Sequence, residues 1–400
     1  MKILIIGGGA SGLMAGGILC NKGFDVTIID KNEKCGKKIY ITGKGRCNLT
    51  NNCSVDEFLN NVIHGNKFLF SSIRQFTPSD TIEFFENLGL KLKTERGNRV
   101  FPVSDKASDV TKYLLMNAKK CNIVLNEKVE SVEKLDNKFI VKTDEKEYCF
   151  DKVIVATGGK SYPATGSTGD GYKIAKSFGL NLTAPHSALV PIKIKDSFCK
   201  SLEGLSLKNV KLKADINGKR QELFGEMLFT YDAISGPIAL SLSSYIGQER
   251  NVKLSIDFKP ALDEEKLNNR LLREFDANKN KNIYNVMKNL LSYRLVEVFL
   301  NVINIDKDKK INTITKDERE KIIKYLKKFE LHFDSLYPVE TGIVTSGGVD
   351  LKEINPKTME SKRVRGLYFI GEVLDIDCLT GGFNLQASFS TAYACANNIE

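Results

Sequence analysis

The chain has 400 residues, of which 42% are apolar and 27% charged, and a formal net charge of +10. That composition suits a globular fold of two or three domains and excludes disordered and collagen-like chains. Nine cysteines, an odd number scattered from Cys20 to Cys395, exclude a disulfide framework and fit a reducing compartment.

The first predicted element is a strand, Ile3 to Ile6, that breaks into Gly7, Gly9 and Gly12 and continues into small helix-forming residues as far as Gly23. Between a strand and a helix, G-x-G-x-x-G has a physical meaning. The first glycine makes a tight turn, the second admits a pyrophosphate, and the third lets helix and strand pack closely, with free helix N–H groups facing the anion. A second strand, Asp25 to Ile29, is closed by Asp30, a side chain able to accept from both ribose hydroxyls of an adenosine. Two later strings, VIVATGG at Val153 to Gly159 and LYFIGE at Leu367 to Glu372, complete the pattern of an FAD-binding domain.

Further along, Asn122–Leu125, Lys128–Val132 and Phe139–Lys142 read as short strands; in two-dinucleotide-binding flavoproteins a strand here brings its main chain to the adenine, which points to Val129. Thr157, Gly158 and Gly159 end a parallel strand at the sheet edge where such folds bind ligands. The fold class expected is therefore α/β, a Rossmann-like FAD domain formed by residues 1–190 and 340–400. It is interrupted by a β-rich insert at 191–262, completed by 330–340, and by a helical subdomain at 263–333. Short alternating strands with a hairpin turn at Asn217-Gly218 mark the insert, and apolar residues at three- and four-residue intervals between lysines mark the helices.

The strings KKIYITGKGRCNLTN (37–51), ATGGKSYPATGSTGDGY (156–172), GEMLFTYDAISGP (225–237), TSGGVDLKEINPKTMESK (345–362) and GEVLDIDCLTGGFNLQ (371–386) occur in this order. In them the chain closely resembles the BaiN/YhiN family of NAD(P)/FAD-dependent oxidoreductases, which includes aminoacetone-oxidase-like flavoenzymes. Tyr231 and Ala233 depart from the His and Gly common in that family's LFT-x-x-G-x-SG string. The resemblance implies a cofactor site made of Gly7, Gly9, Ala10, Ser11, Gly12, Asp30, Lys31, Lys38 and Val129, with Thr157 to Gly159. It adds the loop Thr42, Gly43, Gly45, Arg46, Cys47 and Asn48, in which Lys44 and Arg46 would offset phosphate charge or steady an anionic reduced flavin. It also adds Gly371 and Glu372 at the ribityl and pyrophosphate region, Asp377, and Gly381, Gly382, Phe383, Asn384 and Leu385. This last group leads into a predicted helix running from Leu385 toward Asn397, with Asn384 as its cap, aimed at flavin O2 and N1.

The expected activity is FAD-dependent hydride transfer to or from a small amine, carbonyl or enone, with NAD(P)H as a transient reductant or O2 as acceptor. A single strand-linked G-x-G-x-x-G leaves no permanent nicotinamide domain. No acid or base is assigned; Tyr162 and His186 are weighed as proton donors, and Asp375 and Asp377 either as cofactor contacts or as turn caps. The absence of C-x-x-C makes the flavin the sole redox centre, and His64, His186 and His332 share no metal-site spacing. Net charge favours anionic partners, and an RNA-modifying or RNA-binding flavoprotein is the alternative, less favoured reading. Without a signal peptide or a run of about 20 apolar residues, a cytoplasmic location is expected; the oligomeric state stays open.

Overall fold

An uninterrupted run of apolar residues suits a strand covered on both faces, and β1 (Lys2–Ile6) occupies such a place, with Ile3, Leu4 and Ile5 fully buried. The computed structural model describes all 400 residues. Five parallel strands lie in the order Leu367–Phe369, Lys152–Val155, β1, β2 (Asp25–Asp30) and Asn122–Leu125. In register, Ile6 stands beside Val155 and Ile29. The ladder continues past the strand ends through Gly7 N–H to Ile29 O (2.8 Å), Ala156 N–H to Ile6 O (2.9 Å) and Ile370 N–H to Val155 O (3.1 Å). Three glycine-rich strings far apart in the chain therefore leave one edge of one sheet.

The helix α1 (Ala10–Asn21) packs closely on this sheet because Gly16 has no side chain: a Cβ there would lie 2.8 Å from Ile28. The strands Val129–Leu135, Lys138–Thr143 and Glu147–Phe150 form an antiparallel layer. Two pairings matter for the site: Val62–His64 with Asp377–Cys378, and Leu182–Ala188 with Val344–Val349. These elements belong to the unit Met1–Ala188 plus Pro338–Glu400.

The second unit, Leu189–Tyr337, contains a closed six-stranded barrel whose longest hairpin, Ser206–Ile216 with Lys219–Phe229, turns at Asn217 and Gly218. Both turn residues have positive φ (50° and 84°), as a tight two-residue hairpin requires. Helices Glu264–Ala277, Ile283–Met287, Tyr293–Val302 and Lys316–Lys327 share one apolar core with the barrel. The helical pattern expected through residue 333 stops earlier: Phe329–Leu336 is a barrel strand, with Phe329 and Leu331 buried on alternate positions. Lysines of this region form ion pairs, among them Lys309–Glu318 at 2.6 Å. No helix is long and apolar enough to cross a membrane.

Candidate cofactor and active site

The glycines after β1 divide by what surrounds them. Gly7 has φ 106°, and a Cβ there would meet Ala156 O at 2.5 Å; a Cβ on Gly12 would meet Gly7 O at 2.0 Å. Both are required by the protein's own packing. A Cβ on Gly9 would meet nothing within 4 Å. Gly9 stands at the head of α1, whose first helical hydrogen bond is Leu13 N–H to Gly9 O, so the N–H groups of Ala10, Ser11 and Gly12 have no intrahelical acceptor. An open space beside uncapped N–H groups at a positive helix end fits a pyrophosphate.

Asp30 ends β2 with its carboxylate already engaged: Oδ2 accepts from Gly8 N–H (2.8 Å), and Oδ1 from the main-chain and side-chain nitrogens of Asn32 (both 2.8 Å). A carboxylate has about four acceptor positions, so one remains, which narrows the expected pair of ribose hydroxyls to one unless Asn32 yields. Val129 is buried and opens its strand opposite Thr143. Lys31 does not reach toward an open site: its ammonium bonds Thr168 and Asp170 (2.5 Å). Burial alone would raise the Asp170 carboxyl, but Lys31 and the Thr168 hydroxyl outweigh it and bring it down to about 2.

The expected loop begins with a short helix, Lys37–Ile41, and a tight turn, Thr42–Gly45. Gly43 (φ 56°), Lys44 (φ 58°) and Cys47 (φ 59°) all lie in the left-handed region. The Arg46 guanidinium pairs with Glu95 and Asp105 (2.6 Å to Asp105) and lies 4.2 Å from the Phe101 ring centre. Those partners correct the reading of Arg46 as a free phosphate-facing cation, because two carboxylates already take its fork; Lys44 remains exposed. Asn48 Oδ1 is buried without a hydrogen-bond partner, a vacancy in the protein's own bonding that a cofactor donor could fill. Cys47 is fully buried, and burial pushes its thiol up to about 12; burial also raises Cys53 to about 11.

Glu372 is an organiser. It accepts from Lys38 Nζ (2.7 and 3.0 Å), Ser161 Oγ (2.9 Å) and Thr345 N–H (2.9 Å). Lys38 also donates to Ser161 (2.6 Å). Thr345 Oγ1 accepts from the N–H groups of Lys160 and Ser161 (2.7 and 3.0 Å), and a Cβ on Gly159 would lie 2.3 Å from that oxygen. The side chains of Lys38 and Glu372, both expected at the cofactor, thus lock four segments to one another, those of Lys38, Ser161, Thr345 and Glu372. Gly371 contributes close approach to α1: a Cβ there would lie 2.6 Å from Ser11 Oγ. At the neighbouring strand end, Gly158 has φ 70° and the Thr157 side chain lies against Gly171.

The last helix runs from Phe383 to Asn397 with Gly382 (φ 97°) at its head, two residues before the expected start. Asn384 is not its cap. Its side chain instead clamps Cys378, accepting from N–H and donating to O, both at 2.9 Å. Uncapped N–H groups of Phe383, Asn384 and Leu385 therefore stand beside Gly381, whose carbonyl is held by Asn51 (3.1 Å). This links the 42–51 loop to the head of the helix.

Asp377 caps no turn. It is fully buried, and its Oδ1 bonds His64 Nδ1 (2.5 Å) and Ser346 Oγ (2.9 Å), while Oδ2 has no partner. The His186 ring lies edge-on to His64 with centres 6.3 Å apart. Tyr162 is partly exposed with φ 52°, and its N–H donates to Glu340 O. His64 lay in none of the family strings, and Thr345 and Ser346, though they open the TSGG string, had no role assigned; the pairing of distant strands brings all three together.

Open space at Gly9 beside an uncapped helix head at the edge of the parallel sheet, with a second uncapped helix head and an orphaned amide oxygen, defines the FAD-binding Rossmann class of flavoenzymes. Over residues 1–398 the chain matches the family described as HI0933-like protein Rossmann domain, and it belongs to that family. It is 33% identical over 99% of its length to the ribosomal RNA dihydrouridine synthase of Haemophilus influenzae, 98% of which is covered. The protein of the same name from Escherichia coli is 32% identical over 99% of this chain and 97% of its own. The 3-dehydro-bile acid delta(4,6)-reductase of Clostridium scindens is 31% identical over 98% and 97%. Among solved structures, 3-ketosteroid-delta4-(5alpha)-dehydrogenase from Rhodococcus jostii RHA1 shares the fold, with TM-score 0.53, 13% identity and coverage of 99% and 96%. The protein is an FAD-dependent oxidoreductase of the BaiN/YhiN type.

Proposed function

We propose that this enzyme reduces a carbon–carbon double bond conjugated to a carbonyl, and that the bond is C5=C6 of a uracil in ribosomal RNA. The observation that carries this reading is a shared chemistry among relatives matched end to end. Dihydrouridine is uridine with two hydrogens added across that bond, and a 3-oxo delta(4,6) steroid presents the same conjugated arrangement. The net charge of +10 suits a polyanionic substrate.

In this reading the N–H groups of Ala10 to Gly12 hold the FAD pyrophosphate, Asp30 a ribose hydroxyl, and the Val129 main chain the adenine. The 42–48 loop, Thr157 to Gly159 and Gly371 line the ribityl chain. The head of the Phe383 helix faces the O2 and N1 side of the ring, where its N–H groups favour negative charge. When bound, FAD supplies a hydride at N5, with NAD(P)H as the visiting reductant. Glu372, Lys38 and Thr345 keep these segments in register.

A second reading, a small enone as substrate, is favoured by the bile-acid relative. One assay separates them. Ribosomal RNA from a strain lacking the gene is incubated with enzyme, FAD and NADPH, and dihydrouridine is measured by mass spectrometry, beside a parallel reaction with a 3-oxo delta(4,6) steroid. New dihydrouridine at a defined position supports the first reading. Steroid reduction alone replaces it with the second, and reduction of neither sinks both.

A further inference from the structure

We propose that His64 is the acid that protonates the α-carbon of the substrate, held for that task by the buried Asp377 and by Ser346. The proposal rests on the double-bond reading above and adds the residue that completes the reduction.

Asp377 is fully buried, receives His64 and Ser346 on one oxygen, and has no partner on the other. A half-satisfied buried carboxylate is costly unless a cation sits against it. The adjoining ring supplies one: His64 stands opposite Asp377 in a two-strand pairing, with Nδ1 2.5 Å from Oδ1. The side chain of His64 is 45% exposed while that of Asp377 is not exposed at all. Nδ1 is therefore the inner, anchored nitrogen, and Nε2, on the opposite edge of the ring, is free to deliver a proton outward.

Electrostatics agree with geometry. The hydrogen bond to Asp377 raises the His64 imidazole above its ordinary value; burial opposes the rise, and the Asp377 and Asp375 charges add to it. The other groups on this ring are Ser346 Oγ, 3.2 Å from Nδ1, and the edge of His186. A raised imidazole keeps its proton to higher pH, the direction that favours a general-acid role.

Position agrees too. Cys378, the neighbour of Asp377, is clamped by Asn384 in the first turn of the Phe383 helix. Ser346 follows Thr345, which holds Glu372 and packs against Gly159. The His64 dyad is thus tied to two strings assigned to the cofactor.

The step balances. FAD, when bound and reduced by NAD(P)H, would supply the hydride that forms a C–H bond at the β-carbon, C6 of uracil. The C5=C6 π pair moves onto C5 and the C4 oxygen as an enolate. The Nε2–H bond of His64 then breaks as the C5–H bond forms, and the neutral imidazole regains a proton from water.

The test uses the FAD-loaded enzyme with His64→Gln and Asp377→Asn. In His64→Gln, flavin content and anaerobic flavin reduction by NADPH should stay within about twofold of wild type. Reoxidation by RNA or by the enone should fall about 100-fold or more, the usual weight of a general acid. NMR titration should find the His64 ring protonated to higher pH in wild type than in Asp377→Asn. The basic limb of the reoxidation rate should move down in pH with it, and this nearly isosteric variant carries the test if His64→Gln folds poorly. Wild-type reoxidation in His64→Gln, or an unmoved pH limb in Asp377→Asn, overturns the role. A wild-type enzyme whose reduced flavin neither RNA nor enone reoxidises overturns the double-bond reading and the role together, even where the NMR titration still detects the dyad.

Discussion

Alanine at each of the three fingerprint glycines should give different failures, because the structure assigns them different neighbours. At Gly7 the backbone sits at φ 106° and the new Cβ would lie 2.5 Å from Ala156 O. The left-handed conformation costs a side chain roughly 1–2 kcal/mol, and forcing a methyl into packed backbone costs roughly 1–3 kcal/mol. A loss of about 3 kcal/mol lowers the melting temperature of a unit this size by roughly 6–12 °C. At Gly12 the contact is tighter, 2.0 Å to Gly7 O, but no positive φ is involved, so a loss of about 2–3 kcal/mol is expected. At Gly9 the Cβ meets no protein atom, and φ is −79°. Only the weaker N-cap preference of alanine counts there, about 1 kcal/mol or less. The apoprotein of Gly9→Ala should therefore melt within about 4 °C of wild type. Its methyl occupies the space assigned to the pyrophosphate, and losing two charge-assisted N–H contacts at about 1.5–3 kcal/mol each weakens FAD more than about 100-fold. Circular dichroism melts of the three apoproteins and flavin-fluorescence titration provide the comparison. Wild-type FAD affinity in Gly9→Ala, or wild-type stability in Gly7→Ala, would refute the reasoning.

Glu372→Gln should lower the apoprotein melting temperature by a few degrees and weaken FAD, because Lys38 loses its partner where both side chains are mostly covered; breaking such a pair costs about 1–2 kcal/mol after allowing for its partial exposure. Lys31 and Asp170 give a pH signature. The folded-state carboxyl titrates near 2 against about 3.8 unfolded, so its contribution of about 2 kcal/mol is present above pH 4 and lost as pH falls through 2; Asp170→Asn should flatten that part of an acid-denaturation profile, and an unchanged profile would remove the pair from the account. Anaerobic dithionite should deliver two electrons per FAD in wild type and in Cys47→Ala alike, since burial holds the Cys47 thiol near 12. Uptake of four electrons would reveal a reducible disulfide, and Cys20 with Cys121, whose sulfurs are 2.7 Å apart at the far end of α1, would be the pair to examine.

Local chemistry was legible in the sequence wherever one segment does its work alone. The β1 turn, Asp30 and the glycines before the last helix could be read because a strand period, a tight turn and a helix head leave local marks. Charged side chains were harder to place. Arg46 was expected to offset phosphate charge, and Lys31 and Lys38 to belong to the cofactor site, yet each is paired with a carboxylate at least 49 positions away: Glu95 and Asp105, Asp170, and Glu372. Such pairing depends on which strands meet, and no local pattern records it. His64 shows the same gap from the opposite side. Read alone it is a histidine without metal-site spacing, and read alone Asp377 is either a cofactor contact or a turn cap. The antiparallel pairing of their two strands converts a bland histidine and a buried carboxylate into a proton-holding dyad. A redox site of this kind divides its labour accordingly: the segments assigned to the cofactor are marked by contiguous glycine-rich strings, whereas control of protons and charge depends on tertiary contacts that no single string records.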